Sequence, residues 1–175
     1  FIITFMMINP EEKTGKIDTK AEFIVTVLWP DGHPDDIDTY VQDPGGQIVW
    51  YNAKEAGLMH LDRDDRGMYR DTILVNGEKV ANPLNQETIS VRGFQAGEYI
   101  VNINHYLATG TDPVPVSVKV EKVNPQVTVV YYATLQLDHR GDEKTAVRFS
   151  VAEDGSVRDV NTKEISLVKL TRRAK

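Results

Sequence analysis

The sequence predicts an all-β protein, an antiparallel β-sandwich of jelly-roll type behind a short apolar N-terminal stalk. Three observations carry that expectation. Short segments alternate apolar and polar residues with the period of two that strand geometry imposes. Clusters of Gly, Pro, Asn and Asp separate them at short intervals. No segment sustains an i, i+3, i+4, i+7 apolar stripe for three turns, the pattern a surface helix needs. About eight to ten strands follow from counting the alternating segments between turn signals. The layout divides into an apolar segment and linker over residues 1–20 and a β-domain over 21–175.

Each strand has its own reason. Ala21 to Trp29 places Phe23, Val25, Val27 and Trp29 on one face and Ile24, Thr26 and Leu28 on the other, so a central strand covered on both faces is expected. Pro30-Asp31-Gly32-His33-Pro34 breaks it. From Asp36 to Gln42, Ile37, Thr39 and Val41 alternate with Asp36, Asp38 and Tyr40, giving one core-seeking face and one acidic face. Asp43-Pro44-Gly45-Gly46 supplies the turn into Ile48-Val49-Trp50, because Pro presets φ and Gly tolerates φ > 0. Residues 52–71 fit neither period and are expected to form a long loop, which in compact domains is often functional. Asp71 to Val75 is a short strand ending at the hairpin-favouring pair Asn76-Gly77. Further strands are expected at Glu87 to Arg92, Glu98 to Tyr106, Val114 to Val120, Val127 to Leu137 and Ala146 to Val151. Residues beyond Val157 end in a basic tail with Lys169, Arg172, Arg173 and Lys175.

Composition narrows the function. At 175 residues with 41% apolar and 26% charged side chains, the chain holds enough material for one well-buried core. A net charge of −6 argues against nucleic acid, whose backbone is met by clustered Lys and Arg. The absence of cysteine removes disulfides, thiolate zinc sites, Cys nucleophiles and iron–sulfur clusters together. No Gly-x-Ser-x-Gly elbow, His-Glu-x-x-His helix, phosphate loop or Gly-x-Gly-x-x-Gly turn occurs. His33, His60, His105 and His139 lie in different segments and read as surface or strand-face residues.

Phe1 to Ile8 is nearly all apolar and stops at Asn9-Pro10-Glu11-Glu12-Lys13. A bilayer span needs about 20 apolar residues, so these eight cannot cross alone. They read as the end of a span that begins before Phe1, or as an ordinary first strand. Glu11, Glu12 and Asp18 against Lys13 and Lys16 give a flank without positive excess, which suits the outer side of a cytoplasmic membrane.

The acidic residues carry the most chemistry. Asp36 and Asp38 project from one strand, and Asp62, Asp64 and Asp65 lie in the long segment that follows. Calcium takes about six to eight oxygen ligands, several of them carboxylates. A two-segment calcium site built from Asp36, Asp38, Asp62, Asp64 and Asp65 is therefore expected. It is not an EF-hand, because Asp62-x-Asp64 is followed by Arg66 at the fifth position and Ile73 at the twelfth. The same aspartates also suit turns and exposed edges, with Arg63, Arg66 and Arg70 to neutralise them. Paired carboxylates could alternatively serve glycan hydrolysis.

Asp36-Ile37-Asp38-Thr39-Tyr40-Val41-x-Asp43-Pro44-x-Gly46 resembles a signature of bacterial pre-peptidase C-terminal jelly-roll domains and their uncharacterised envelope relatives. Gly97-Glu98-Tyr99-Ile100-Val101-Asn102-Ile103 is similar to their later Gly-x-Tyr-x-Val-x-Val strand, and Pro115 to Val120 to the strand after it. Thr39 departs from the usual apolar residue, and residues 125–175 fall outside the likeness. The resemblance implies calcium-stabilised binding or assembly rather than catalysis. Together these features predict a non-enzymatic module on the periplasmic side of the bacterial inner membrane. It would be tethered by its N-terminal segment, accessory to a membrane complex, and bind a protein partner or cell-envelope component. The alternative is a carboxylate-dependent hydrolase acting on glycans.

Overall fold

The computed structural model describes residues 21–67 and 72–173. The expected N-terminal stalk lies outside the described residues, as do Arg70 and Asp71. Within them, two antiparallel sheets pack face to face as a β-sandwich. One sheet has the spatial order β11 (Thr128–Leu137), β10 (Val114–Lys122), β1 (Phe23–Trp29), β8 (Asn85–Val91), β5 (Met59–Arg63) and β4 (Glu55–Ala56). The other runs β13 (Val157–Asn161), β12 (Glu143–Val151), β9 (Gly97–Leu107), β2 (Asp36–Gln42) and β3 (Ile48–Val49). A separate hairpin joins β6 (Thr72–Val75) to β7 (Glu78–Ala81), and one helix, α1 (Leu167–Arg173), closes the described chain. The chain repeatedly switches sheets, as between β1 and β2, β8 and β9, and β11 and β12.

Period-two patterning places the core as expected. Phe23, Val25, Val27 and Trp29 of β1 meet Ile37 and Val41 of β2, Val101 and Ile103 of β9, and the four valines of β10 between the sheets. Phe23, Tyr99 and Phe149 form an aromatic centre there, with ring centroids 5.5 to 6.2 Å apart. The outer face of β1 is less covered than the sequence suggests. Ile24 and Thr26 are half-buried and Leu28 is exposed, because α1 packs against the opposite sheet instead.

Three expectations are corrected. The described strands number thirteen rather than eight to ten, the additions being the short strands β4, β5, β7 and β13. Residues 52–71 are not one irregular loop: β4 and β5 form inside them, and β5 pairs with β8 through Met59↔Val91 and Leu61↔Ile89. The basic C-terminal stretch is not a mere tail. Its helix seats Leu167 beside Tyr40 and Ile100 on the outer face of the second sheet. Glu143 fixes it there, accepting the backbone N–H of Leu167 at 2.7 Å and of Val168 at 3.1 Å, and the Asn102 side-chain amide at 2.7 Å. A carboxylate thereby satisfies donors that a helix start leaves unpaired.

The Asp43–Gly46 turn behaves as its sequence requires. Gly46 adopts φ 85°, and Asp43 accepts the Gln47 N–H through its side chain at 2.8 Å. That turn delivers only the last residues of β2 to β3, through Val41↔Val49 and Gln42↔Ile48. The first half of β2 therefore pairs with β9 alone among the described residues, leaving one backbone edge open at the acidic corner.

Candidate metal centre

The open edge of β2 is where the acidic residues converge. Alternation turns Ile37 into the core and leaves Asp36 and Asp38 on the opposite side of β2. Glu87 comes from the facing sheet. It shares the inward face of β8 with Ile89 and Val91, so its side chain crosses the sandwich, and its Oε2 accepts the free Thr39 N–H at 2.7 Å. Asp64 follows directly on β5 and completes the group from a third segment. Ligand oxygens of Asp38, Asp64 and Glu87 lie within 4.8 Å of one another. Asp36 and Asp38 share a 330 Å³ cleft with Asp64, Arg66, Tyr51, Tyr106 and Leu107.

These carboxylates are taken out of water without full compensation. Asp38 is 3% exposed and Glu87 1%. Asp36 Oδ1, Asp38 Oδ2 and Glu87 Oε1 are buried and have no hydrogen-bond partner among the described residues. An unpartnered buried carboxylate oxygen is costly, and two such groups side by side repel. Burial, aided by Asp36 and Asp64 and opposed by Arg66, pushes the Asp38 carboxyl up to about 8. Burial also lifts Asp36 to about 6, with Asp64 and Asp65 adding to it. Glu87 rises well above the carboxylate range, first from burial and then from Asp38, while the Thr39 N–H works the other way.

Among the described residues, two cations approach from outside. Lys54 Nζ is 2.8 Å from Asp64 Oδ2, and Arg66 is 3.9 Å from the same oxygen. Fully ionised, the four carboxylates exceed these two cations by two charges. Protons or one divalent cation would neutralise that excess among the described residues.

Of the five expected ligands, Asp36, Asp38 and Asp64 come together and two do not. Asp62 alternates to the outer side of β5 and meets Arg92 at 3.2 Å. Asp65 is buried but occupied. It accepts Gly67 N–H at 3.1 Å and Gln86 N–H at 3.0 Å and pairs with Arg63 at 3.3 Å, tying the loop to the start of β8. Glu87 is the member that residue spacing alone does not reveal. Its signal was present, because Glu87, Ile89 and Val91 share one strand face, and a carboxylate on a core face is unusual.

The surroundings are held rigidly. Asp35 Oδ1 accepts both the N–H and the hydroxyl of Thr109, at 2.8 and 2.7 Å, and its Oδ2 lies 2.7 Å from His105 Nε2. Burial raises the Asp35 carboxyl, but the bonds from Thr109 and His105 outweigh it and hold it below the usual range. Asp35 is thus a structural tie, as is His105. Tyr40 stacks on Trp50 at 5.5 Å, Trp50 meets Tyr51 edge-on at 4.7 Å, and Tyr51 meets Tyr106 at 5.3 Å. Of this row of rings, Tyr51 and Tyr106 line the cleft.

No family model matches the chain, and no curated protein does. Among solved structures, the chain is similar to a protein described as "unknown function protein SAV2460". The match has 12% sequence identity, covers 86% of this chain and 95% of that one, and has a TM-score of 0.53. At that identity the likeness extends to the fold alone.

Proposed function

We propose that this protein is a non-enzymatic β-sandwich binding module stabilised by a divalent cation, with calcium held by Asp36, Asp38, Asp64 and Glu87. One observation carries it: three carboxylates from three separate segments meet within 4.8 Å, and oxygens of Asp38 and Glu87 are buried without partners among the described residues. The donor set is all oxygen, without His or Cys, which favours a hard cation such as calcium over zinc or copper. A cation there would join β2, β8 and the segment after β5, linking the two sheets at their open corner.

The same burial speaks against the alternative of glycan hydrolysis. Catalytic carboxylates must reach a sugar from both sides, whereas Glu87 is enclosed and Asp38 nearly so. The Tyr51 and Tyr106 rings flank the cleft but do not open a route to Glu87. We further propose that the domain is tethered by its N-terminal segment on the outer side of the bacterial inner membrane. There it binds a protein or envelope component beside a membrane complex. Among the described residues, no helix is long and apolar enough to cross a bilayer.

Titration calorimetry of the metal-free protein with calcium and magnesium tests the ion. Saturable calcium binding that disappears in Asp38→Asn and Glu87→Gln, but persists in Asp62→Asn, is expected. No heat with either ion, or binding unaffected by the first two substitutions, would overturn the assignment.

A further inference from the structure

We propose that a trough on the outer face of the second sheet binds an acidic polysaccharide, a glycan chain that carries uronic-acid carboxylates. This names the ligand class of the binding role proposed above and rests on that reading, because the ion site forms one end of the trough.

Three clefts adjoin on that face. The 330 Å³ cleft over Asp36, Asp38 and Asp64 shares Tyr51 and Tyr106 with a 220 Å³ neighbour that also takes in Asn104 and Arg172. That neighbour shares Trp50 and Thr171 with a third cleft of 510 Å³, which Gln42, Gly46 and Gln47 help to line. The shared walls make one elongated recess, running from the Asp43–Gly46 turn past α1 to the acidic corner. A recess of that shape holds successive units of a chain.

The lining suits sugar rings. Trp50, Tyr51 and Tyr106 follow one another at centroid distances of 4.7 and 5.3 Å. Trp50 and Tyr51 are half-buried and Tyr106 is exposed, so the row is anchored on one side and open on the other. Pyranose rings pack their C–H faces on aromatic rings, and their rims carry hydroxyls that side-chain amides such as Gln42 and Gln47 can bond.

Charge selects the acidic class of glycan. The chain carries a net −6, yet α1 bears Lys169, Arg172 and Arg173 beside the trough. Arg172 lines the middle cleft and forms no ion pair among the described residues. One divalent ion together with Lys54 and Arg66 balances the four carboxylates of the corner, which leaves Arg172 as the uncompensated charge of the recess. A guanidinium takes a carboxylate through two parallel N–H donors, and a uronic acid presents that carboxylate on a pyranose ring.

The ion supplies the second anchor. Calcium takes about six to eight oxygens, so four carboxylates giving one each leave about two positions or more. Asp36, Asp38 and Asp64 line the cleft, whereas Glu87 is enclosed and is not among its walls. The remaining positions face the recess, where hydroxyl or carboxylate oxygens of a sugar complete the shell.

The test is calorimetric titration of the full chain with hyaluronan hexasaccharide, which alternates glucuronate and N-acetylglucosamine, in calcium and in chelator. The neutral N-acetylglucosamine hexamer and a glutamate decapeptide serve as comparison ligands. Saturable binding of the acidic hexasaccharide in calcium is expected, about tenfold or more tighter than either comparison ligand and than the same titration in chelator. Arg172→Gln and Tyr106→Ala should each weaken it by roughly tenfold while calcium alone still binds, and Tyr106→Phe, which keeps the ring, should retain it. Arg172→Gln changes an exposed helix position and carries the test by itself if Tyr106→Ala shifts the thermal transition. Calcium heat without hexasaccharide heat overturns this inference and leaves the ion assignment standing. An absence of calcium heat removes the ion assignment itself, and the calcium titration alone reads it. Equal binding of the neutral hexamer or of the peptide, equal binding in calcium and chelator, or binding indifferent to Arg172→Gln also overturns the inference.

Discussion

Asp38→Asn should stabilise the metal-free protein while abolishing its response to calcium. In the folded state the Asp38 carboxyl is pushed up to about 8 by burial, then by Asp36 and Asp64, from an ordinary value of 3.8. Between those values the folded chain holds a proton that the unfolded chain has released, so stability falls as pH rises. Below the window both states are protonated and the penalty vanishes; above it the penalty is complete. At about 1.4 kcal/mol per pH unit, keeping Asp38 neutral costs on the order of 4 kcal/mol at pH 7. Asparagine has the shape of the acid without the proton requirement. For a chain of this length about 2–4 °C of melting temperature corresponds to each kcal/mol, so a gain approaching 10 °C at pH 7 is expected in chelator. The gain shrinks as pH is lowered toward 4. Calcium at a hundred times its dissociation constant would add about 2.7 kcal/mol to the wild type and nothing to the variant. Calorimetric melts at pH 5, 6, 7 and 8, with chelator and with calcium, measure both effects. A flat wild-type profile in chelator, or an Asp38→Asn variant melting below wild type at pH 8, would refute the reasoning.

Three further outcomes follow from the same geometry. Calcium binding should displace protons from Asp38 and Glu87, so affinity should strengthen as pH rises, by about tenfold per pH unit for each proton released; titrations in buffers of different ionisation heat count the protons. Gly67→Ala should lose more than about 1 kcal/mol, because φ at that position is +61° and an added Cβ would lie 2.5 Å from the Asp35 carbonyl oxygen. Weaker calcium binding should accompany that loss, read by the same titration, since the loop carrying Asp64 turns there. Glu143→Ala should cost about 1–3 kcal/mol by stranding the N–H groups of Leu167 and Val168. Limited proteolysis should then cut first around α1.

Period-two alternation determined the strands and their inward faces without help. Phe23, Val25 and Val27, or Val114 through Val120, declare a buried face because a side chain's direction in a strand depends only on its parity. The same local logic exposed Asp36 and Asp38 as neighbours and Asp43-Pro44-Gly45-Gly46 as a turn. Short elements escaped it: β4 has two residues, and β5, though it alternates, takes its place through pairing with β8, distant in the chain. α1 escaped too, as its seven residues are too few for a stripe and depend on Glu143 and on the Tyr40–Ile100 surface for support.

The acidic site divides along the same line. Its residue types and two of its segments were legible in sequence, but its membership was not. Asp62 and Asp65 stand beside Asp64 in the chain, yet strand parity carries one outward and backbone donors capture the other. Glu87 lies more than twenty residues away and enters because the facing sheet aims it at an edge that β3 is too short to cover. Which carboxylates share one small volume is a matter of sheet order and strand length, and those are decided only when the two sheets pack.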